Sequence, residues 1–491
     1  MPLKNLNSIQ ENNVIEEENV IIGSGAGGST IAYELLKQGK NSLILEEGPN
    51  INDLDFSNIG KNIINLYKNN GATPMMSSNK GPLIGYGQGS CVGGSTYVNA
   101  GYYSNTPEWI YDNWIKEERT ILDYKEFQRF LNEIRSELKI NTENLTKKDG
   151  DSKYLFEKSK KLDWKIDKCE RFSSAILGQE KQNMNETYHK KILKENMDII
   201  YNCKIEKINI NNRQAKSIVA INKINKKKYF FKFKNLFINC GPISTPHLLL
   251  KNNLIRFNNF NRNFEFHINF KIIVKFKNEI NFNSSKKFDP NSPVSIYFLR
   301  EFEKEGALLS SANSELPYLL ATSSHFNEDI KKDIFMNFSH YAMYIYQIKS
   351  NSLGKIKSIF NNPYVEYEYD HRDNEEIKKA IKRTSKFFIG RDVDFMLYPF
   401  ENSKPINNIQ EATYLSENFN YKKLHLVSVH GMSSMRSSKY EDSLTDYYGK
   451  LKGYQNIYIN DASILPGNTG ESPQASIMAF AKFVAKNLPN N

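Results

Sequence analysis

The chain has 491 residues, of which 39% are hydrophobic, 12% aromatic and 25% charged, and its formal net charge is +11. This length predicts about three domain-sized units or one large composite fold, and the apolar fraction excludes a wholly disordered chain. The sequence contains no run of about 18 uncharged apolar residues, so it predicts no membrane-spanning helix. The N-terminus lacks the apolar stretch of a secretory signal.

The four cysteines, Cys91, Cys169, Cys203 and Cys240, are far apart and lack the short spacings of a zinc site or a redox pair. We therefore expect no disulfide framework and no metal site, and a cytoplasmic location fits best. The positive charge is spread along the chain, and its densest stretch, residues 222–235, predicts a polar turn followed by a strand. Without a basic patch interleaved with stacking aromatics, we expect no nucleic-acid partner.

The N-terminal region shows a strand, a glycine-rich turn, a helix and a second strand. The run NVII precedes Gly23, Gly25 and Gly28 in a G-x-G-x-x-G pattern, and the segments STIAYELLKQGK and NSLILEE follow. In this pattern the first glycine makes a tight turn, the second lets the backbone approach a pyrophosphate, and the third lets the helix pack on the strand. Glu46 ends the second strand, where its carboxylate suits ribose hydroxyls and disfavours the 2′-phosphate of NADP. The motif predicts a dinucleotide site and leaves FAD and NAD open.

A second glycine-rich segment, GYGQGSCVGGSTYVNAGYY at residues 85–103, predicts a loop that lies against a ligand, because it is too rich in small residues for a core helix or strand. The run TPEW follows at residues 106–109. Both resemble the glucose-methanol-choline (GMC) family of flavin oxidoreductases, the second run especially members that act on long-chain or sterol alcohols. The residues that match the family's first signature are Gly89, Gly93, Gly94, Ser95, Thr96 and Asn99.

The resemblance continues in order along almost the whole chain. Residues 203–208 resemble the family's strand near the adenine, residues 236–250 its second signature, and residues 456–481 its flavin-closing segment. It implies an α/β fold, α+β overall, with a Rossmann-like FAD-binding domain and a substrate-binding domain of a sheet plus helices. The expected segments are 14–109, 198–255 and 425–491 for the FAD-binding domain, and 110–197 and 256–424 for the substrate-binding domain.

The cofactor that the resemblance implies is non-covalent FAD. Some members attach FAD through a histidine, but the corresponding stretch here is Tyr97-Val98. The cofactor contacts that the resemblance implies come from both glycine-rich segments, the adenine strand, the second signature and the C-terminal segment: Gly23, Gly25, Ala26, Gly28, Glu46, Gly93, Gly94, Ser95, Asn99, Ile205, Gly241, Asp461, Ala462 and Pro473.

His430 stands at the end of the apolar strand LHLVSV, a place where a histidine alone is more often structural. The run HGMSSMR resembles the family's H-x-M-G-T-x-R, with Ser433 and Ser434 in place of the usual glycine and threonine. In the family this histidine is the base for the substrate hydroxyl. The resemblance implies that His430 accepts the alcohol proton while hydride leaves for the flavin. His425 is expected to be structural, and His267 has no assigned role.

The second catalytic position departs from the family pattern, in which Asn or His precedes a proline. Here Ser472 precedes Pro473. A serine hydroxyl hydrogen-bonds a substrate oxygen but is not a strong base. Ser472 also predicts a helix N-cap, with Pro473 as the first helical residue. Capping alone, and capping combined with substrate contact, both stay open.

Three functions remain open from the sequence. The preferred one is an FAD-dependent dehydrogenase or oxidase that converts an alcohol, a CH–OH donor, to a carbonyl, with a small-molecule alcohol as its substrate. The alternatives are a non-redox lyase that keeps flavin only as structure, and an NAD-binding protein without flavin chemistry. The sequence identifies neither the alcohol nor the electron acceptor: oxygen, a quinone and a cytochrome all remain candidates. Contact with a membrane surface also stays open.

Overall fold

Two large β-sheets, each backed by helices, organise the chain in a computed structural model, which describes residues 3–10, 14–55, 59–145, 149–172, 181–256, 263–281, 294–438 and 443–489. The strands are, in chain order, β1 (Lys4–Asn5), β2 (Val14–Ile22), β3 (Ser42–Leu45), β4 (Thr73–Ser77), β5 (Ile84–Tyr86), β6 (Asn141–Thr142), β7 (Ile166–Lys168), β8 (Glu170–Arg171), β9 (Ile199–Tyr201), β10 (Cys203–Asn211), β11 (Gln214–Asn222), β12 (Lys228–Ile238), β13 (Glu265–Phe276), β14 (Tyr297–Leu299), β15 (Ala307–Ser311), β16 (Tyr341–Lys349), β17 (Leu353–Ile359), β18 (Asn362–Glu368), β19 (Val393–Leu397), β20 (Leu426–Ser428), β21 (Gly431–Met432) and β22 (Ile457–Ile459).

The helices lie on the faces and at the ends of these sheets. They are α1 (Ala26–Lys37), α2 (Ile59–Leu66), α3 (Ser95–Val98), α4 (Glu108–Lys116), α5 (Tyr124–Glu137), α6 (Gly150–Lys161), α7 (Lys190–Lys194), α8 (Ser244–Lys251), α9 (Leu316–Thr322), α10 (Glu328–Met336), α11 (Arg372–Phe388), α12 (Ile409–Asn418) and α13 (Gln474–Lys486). None of the helices in the described ranges is long and apolar enough to cross a bilayer.

The first sheet has the predicted βαβ unit at its centre. Within the described residues it has eight strands, in the order β1-β9-β3-β2-β12-β11-β10, and β22 pairs with β12. The neighbours β9, β3, β2, β12 and β22 run parallel, whereas β10 and β11 extend the sheet in antiparallel fashion. Ile31 and Leu35 of α1 are fully buried in this core. The strand, turn, helix and strand predicted from the sequence are therefore confirmed.

The second sheet is assembled around the long strand β13. In the described part of the chain it has twelve strands, in the order β17-β18-β4-β5-β20-β13-β16-β15-β14-β7, with β19 and β21 also paired to β13. Strand β21 pairs with the start of β13, where Phe266 lies opposite Gly431. This pairing places the end of the predicted catalytic strand beside the first residues of β13.

The chain crosses between the two layers several times. Strands β4, β5 and β20 pair in the second sheet, although they lie in segments predicted for the FAD-binding domain. Helix α5, from a segment predicted for the other domain, packs against α13 through Phe127 and Phe480. The assignment of segments to two functional domains stays a prediction.

Two local predictions differ from the structure. The second glycine-rich segment is not all loop, because it contains β5 and the single helical turn α3. Helix α13 begins at Gln474 with Pro473 at its N-cap position, and no side-chain hydrogen bond caps it. The prediction that Ser472 caps this helix is therefore wrong. The buried Glu471, which is paired with Arg300, anchors the chain immediately before Ser472.

Candidate active site

A cavity of about 620 Å³ is lined by residues from both sheets and joins the predicted cofactor residues to the predicted catalytic ones. The glycine turn after β2 lies at one side, and His430 and Ser472 also contribute to the wall. Most of the site residues predicted from the sequence line it, namely Gly23, Gly25, Ala26, Glu46, Gly94, Ser95, Asn99, Ile205, Gly241, His430, Asp461, Ala462, Ser472 and Pro473.

The glycine turn is shaped by close backbone contacts. Gly23 has φ +97°, and a Cβ at this position would lie 2.3 Å from the carbonyl oxygen of Asn239. A Cβ on Gly28 would lie 2.0 Å from the carbonyl oxygen of Gly23, so Gly28 lets α1 pack against the turn. At Gly25, by contrast, the nearest atom to a Cβ is the Cα of Gly94, at 3.9 Å. The space in front of Gly25 therefore belongs to the cavity, as a pyrophosphate cradle requires.

The second glycine-rich segment closes over the first. Gly94 has φ +57°, and a Cβ there would lie 2.9 Å from the Cα of Gly25. Gly93 does not line the cavity; its N–H donates to the Ser24 hydroxyl at 3.0 Å. The two segments thus meet backbone to backbone, which only residues without side chains allow.

Glu46 lies where the sequence predicts, at the cavity end of the second parallel strand. Its carboxylate is buried and accepts hydrogen bonds from the Ser24 N–H at 3.0 Å, the Ser24 hydroxyl at 2.6 Å and the Gly48 N–H at 2.8 Å. These donors hold the carboxylate in place at the cavity wall. It is suited to accept hydrogen bonds from ribose hydroxyls, as the motif predicts.

Asp461 is held by the protein through both of its carboxylate oxygens. One accepts from the Gly241 N–H at 2.6 Å and the Thr245 hydroxyl at 2.5 Å, and the other accepts from the N–H and hydroxyl of Ser463. Burial raises the pKa of this carboxyl, and these hydrogen bonds oppose the shift. Asp461 therefore ties the C-terminal segment to the turn at Gly241, while the same residue contributes to the cavity wall.

Several polar atoms at the cavity wall have no hydrogen-bond partner within the described residues. They include both side-chain polar atoms of Asn239, Nε2 of Gln474 and Oδ1 of Asn269. Buried polar groups of this kind are normally paired, because an unpaired one costs about 1–3 kcal/mol. Asn239 lies beside the glycine cradle, where its unpaired amide fits a polar ligand such as a dinucleotide. The sequence had not singled out any of the three.

His430 is joined to a second histidine that the sequence left unassigned. Nδ1 of His430 lies 3.0 Å from Nδ1 of His267, and Nε2 of His267 hydrogen-bonds Oδ1 of Asn468. The Asn468 amide is oriented because its Nδ2 donates to the Phe266 carbonyl at 2.9 Å while its Oδ1 accepts from the Gly470 N–H at 3.0 Å.

This chain of hydrogen bonds assigns the protons on both rings. Because Oδ1 of Asn468 only accepts, Nε2 of His267 carries its proton. Burial and the neighbouring His430 lower the pKa of His267 well below its usual value, so this ring is neutral and its Nδ1 accepts. Nδ1 of His430 must then be the donor. Burial also lowers the pKa of His430 to about 4, which leaves its Nε2 unprotonated and able to accept a proton.

Charged residues hold the loop of Asn468, which hydrogen-bonds His267. Glu265 accepts from the Asn468 N–H at 2.7 Å, from Arg436 at 2.7 Å and from Arg119 at 3.1 Å. Arg436, the arginine of the HGMSSMR run, thus binds Glu265 and has no direct contact with His430 among the hydrogen bonds described. These contacts fix the loop that carries Asn468 next to β13.

Ser472 lies at the cavity wall near this network. Its hydroxyl has no hydrogen-bond partner within the described residues, and its side chain is half-buried. Since it does not cap α13, the hydroxyl is available to a ligand. Because Ser472 does not cap the helix, contact with the substrate is the role that remains to be tested.

The sequence of the chain matches the N-terminal GMC oxidoreductase model over residues 17–269 and the C-terminal GMC oxidoreductase model over residues 351–481. The protein belongs to the GMC oxidoreductase family.

Individual relatives are distant but span most of the chain. A GMC-type oxidoreductase of Sinorhizobium fredii is 21% identical over 500 residues, which cover 96% of this chain and 94% of that protein. A long-chain-alcohol oxidase of Arabidopsis thaliana is 21% identical over 508 residues, covering 96% of this chain and 68% of that protein.

A solved structure of the formate oxidase of Aspergillus oryzae RIB40, one that concerns FAD modification, matches with a TM-score of 0.76 at 13% identity. The match covers 97% of this chain and 98% of that one. These findings confirm the predicted family and the predicted fold class, a Rossmann-like FAD-binding domain with a sheet-and-helix substrate domain. The protein is thus an oxidoreductase and a flavoprotein, and FAD is the cofactor that its family implies.

The two glycines at the cradle are expected to respond differently to the same substitution. Gly25→Val places its side chain in the cavity, so the protein should fold but lose FAD. Gly28→Val forces a side chain into the Gly23 carbonyl, so it should fail to give folded protein. Flavin absorbance per protein and the thermal unfolding of each purified variant, compared with wild-type apoprotein, check this. Full FAD content in Gly25→Val would contradict the assignment of the cradle.

Proposed function

We propose that the protein oxidises an alcohol to a carbonyl, with His430 as the base for the hydroxyl proton and FAD as the hydride acceptor. The observation that carries the proposal is the Asn468–His267–His430 chain, which leaves Nε2 of His430 as the proton-accepting nitrogen in the cavity of the glycine cradle. Alcohol oxidation requires one group that takes the proton and another that takes the hydride. Bound FAD supplies the hydride chemistry.

Within this proposal His267 is a positioning residue. By accepting the Nδ1 proton of His430, it keeps the lone pair on Nε2, the nitrogen that serves the substrate. The low pKa of His430 keeps that lone pair unprotonated at any pH above about 4. Such a weak base takes the hydroxyl proton only as hydride leaves the carbon, so proton and hydride departure are expected to be closely coupled.

Ser472, which lies just before α13, contributes a hydroxyl to the cavity wall. Its chemistry suits a hydrogen bond to the substrate oxygen, and it cannot replace His430 as base. The buried pair of Glu471 with Arg300 fixes the backbone beside it. We assign Ser472 the orientation of the substrate hydroxyl.

The lining of the cavity supports an alcohol with an apolar body as the donor. Beyond the polar groups near His430, the wall includes Phe298, Leu308, Met343 and Val427. The Arabidopsis relative acts on long-chain alcohols according to its name. A substrate whose carbon chain lies along these side chains is consistent with both observations.

Substitution of the proposed base should abolish flavin reduction without loss of FAD. His430→Ala is expected to slow reduction roughly 10²–10⁴-fold, the usual contribution of a positioned base. Ser472→Ala should slow it less and leave stability unchanged, since Ser472 caps no helix. Ser472→Asn, which restores the family's usual residue, should retain or raise the rate. The measurement is anaerobic stopped-flow bleaching of the flavin by an alcohol found by screening. An unchanged rate in His430→Ala would contradict this assignment and favour another base.

Removal of His267, which accepts the Nδ1 proton of His430, should slow flavin reduction. His267→Phe leaves either nitrogen of His430 free to carry the proton, so flavin reduction should slow roughly 10²-fold through loss of the productive tautomer. His267→Gln keeps an acceptor and should recover most of the rate. The pH dependence of the reduction rate is the diagnostic, because a purely structural defect would not move its lower pKa. Equal losses in both variants, with an unchanged pH profile, would refute the positioning role.

FAD is expected to be bound without a covalent link. Tyr97 is buried and Val98 lines the cavity at the stretch where some family members have an attaching histidine. Precipitation of the purified protein with acid should release yellow flavin into the supernatant. Flavin retained by the washed pellet would show a covalent bond to the protein.

A further inference from the structure

Lys271 lies on β13 and lines the same cavity as His430. Its ammonium donates to the Thr322 hydroxyl at 3.2 Å, and no carboxylate of the described residues pairs with it. Lys275, on the same face of the same strand, is different: its ammonium forms an ion pair with Asp333 at 2.6 Å. Lys271 is therefore a cation held at the cavity wall without an acidic partner.

The position of Lys271 along β13 sets its distance from the chemistry. His267, which holds His430, is four residues earlier on the strand, so the two backbone positions are separated by roughly 13 Å at the usual strand rise. Asn269 lies between them on the same face, because alternate residues of a strand share a face. Across the sheet, Ile345 pairs with Lys271 and Gln347 pairs with Asn269, and both line the cavity.

The surroundings of Lys271 leave its charge uncompensated. Burial lowers the pKa of its ammonium to about 8, so it is still a cation at neutral pH. The charge of Lys271 acts on His325, whose ring stacks on that of His425 at 4.3 Å, and the Glu401 carboxylate acts on His425. Burial, His425 and Lys271 together lower the pKa of His325 to about 4, and burial lowers the pKa of His425. Both imidazoles are neutral at neutral pH, and Nε2 of His325 is buried without a partner within the described residues.

We propose that Lys271, which the Thr322 hydroxyl holds in place, binds the anionic end of the donor, so that the substrate class is an apolar alcohol that carries a carboxylate at the end remote from the reacting hydroxyl. This inference rests on the proposed alcohol oxidation. A half-buried cation without an acidic partner at the wall of a cavity is stabilised by an anion that enters with the ligand. One ammonium matches the single charge of a carboxylate, whereas a phosphate carries nearly twice that charge and calls for more donors.

The experiment compares two donors that differ only in the carboxylate, ω-hydroxydecanoate and n-decanol, with decanoate as a ligand that cannot be oxidised at an alcohol. Wild-type holoenzyme should have the lower KM for ω-hydroxydecanoate. Lys271→Met should raise that KM roughly 10- to 100-fold, the value of a hydrogen-bonded charge pair, and leave n-decanol oxidation nearly unchanged. Lys271→Arg should keep most of the discrimination. Lys275→Met, which alters the paired lysine of the same strand, is the matched control and should keep it fully.

Calorimetric binding of decanoate to the holoenzyme gives a readout that does not depend on turnover. Decanoate should bind wild type and the Lys275→Met variant but not Lys271→Met, and its Kd should rise above pH 8 as Lys271 loses its proton. Equal KM values for the two donors in wild type, or decanoate binding that survives Lys271→Met, would overturn the anion site while leaving alcohol oxidation intact. Absence of flavin bleaching by every alcohol would instead overturn the proposed function.

Discussion

The contact between His267 and His430 joins two distant parts of the chain at the point where chemistry is proposed. His267 belongs to β13, and His430 precedes β21, which pairs with the first residues of β13. Burial lowers the pKa of both imidazoles, and the neighbouring His430 lowers that of His267 further. The amide of Asn468 then decides which nitrogen holds each proton. The hydrogen bonds from Asn468 through His267 thus leave Nε2 of His430 as its unprotonated nitrogen.

The backbone of β13 also organises the rest of the cavity. Its alternate residues present a histidine, an amide and a lysine along one face, and the pairing with β16 and β20 closes the wall beside them. The strand therefore positions both His267, which contacts His430, and Lys271 at the cavity wall. Their separation follows from the rise of a strand and not from flexible side chains.

The cofactor side depends on a different constraint, the contact of two glycine-rich segments. Gly94 and Gly25 approach so closely that a side chain on Gly94 would collide with the backbone of the first segment. The same approach leaves the space in front of Gly25 to the ligand. Backbone packing, rather than side-chain chemistry, thus forms the cradle where we expect FAD to bind.

The sequence by itself determined the βαβ unit, Glu46 and the glycine cradle, because strand and helix periodicity and a short motif are local properties. The resemblance to the GMC family supplied His430 as the candidate base. The roles of His267 and Lys271 could not be predicted, since a single histidine or lysine on an alternating strand carries no local signal of its partner. Ser472 shows the limit of local signals: Ser-Pro predicts a helix cap, yet α13 begins later because the buried Glu471–Arg300 pair fixes the preceding chain. Only the tertiary structure, which brings β13, β21 and the C-terminal segment together, decided these contacts, because hydrogen bonds and ion pairs between residues far apart in sequence depend on the packing of the sheets.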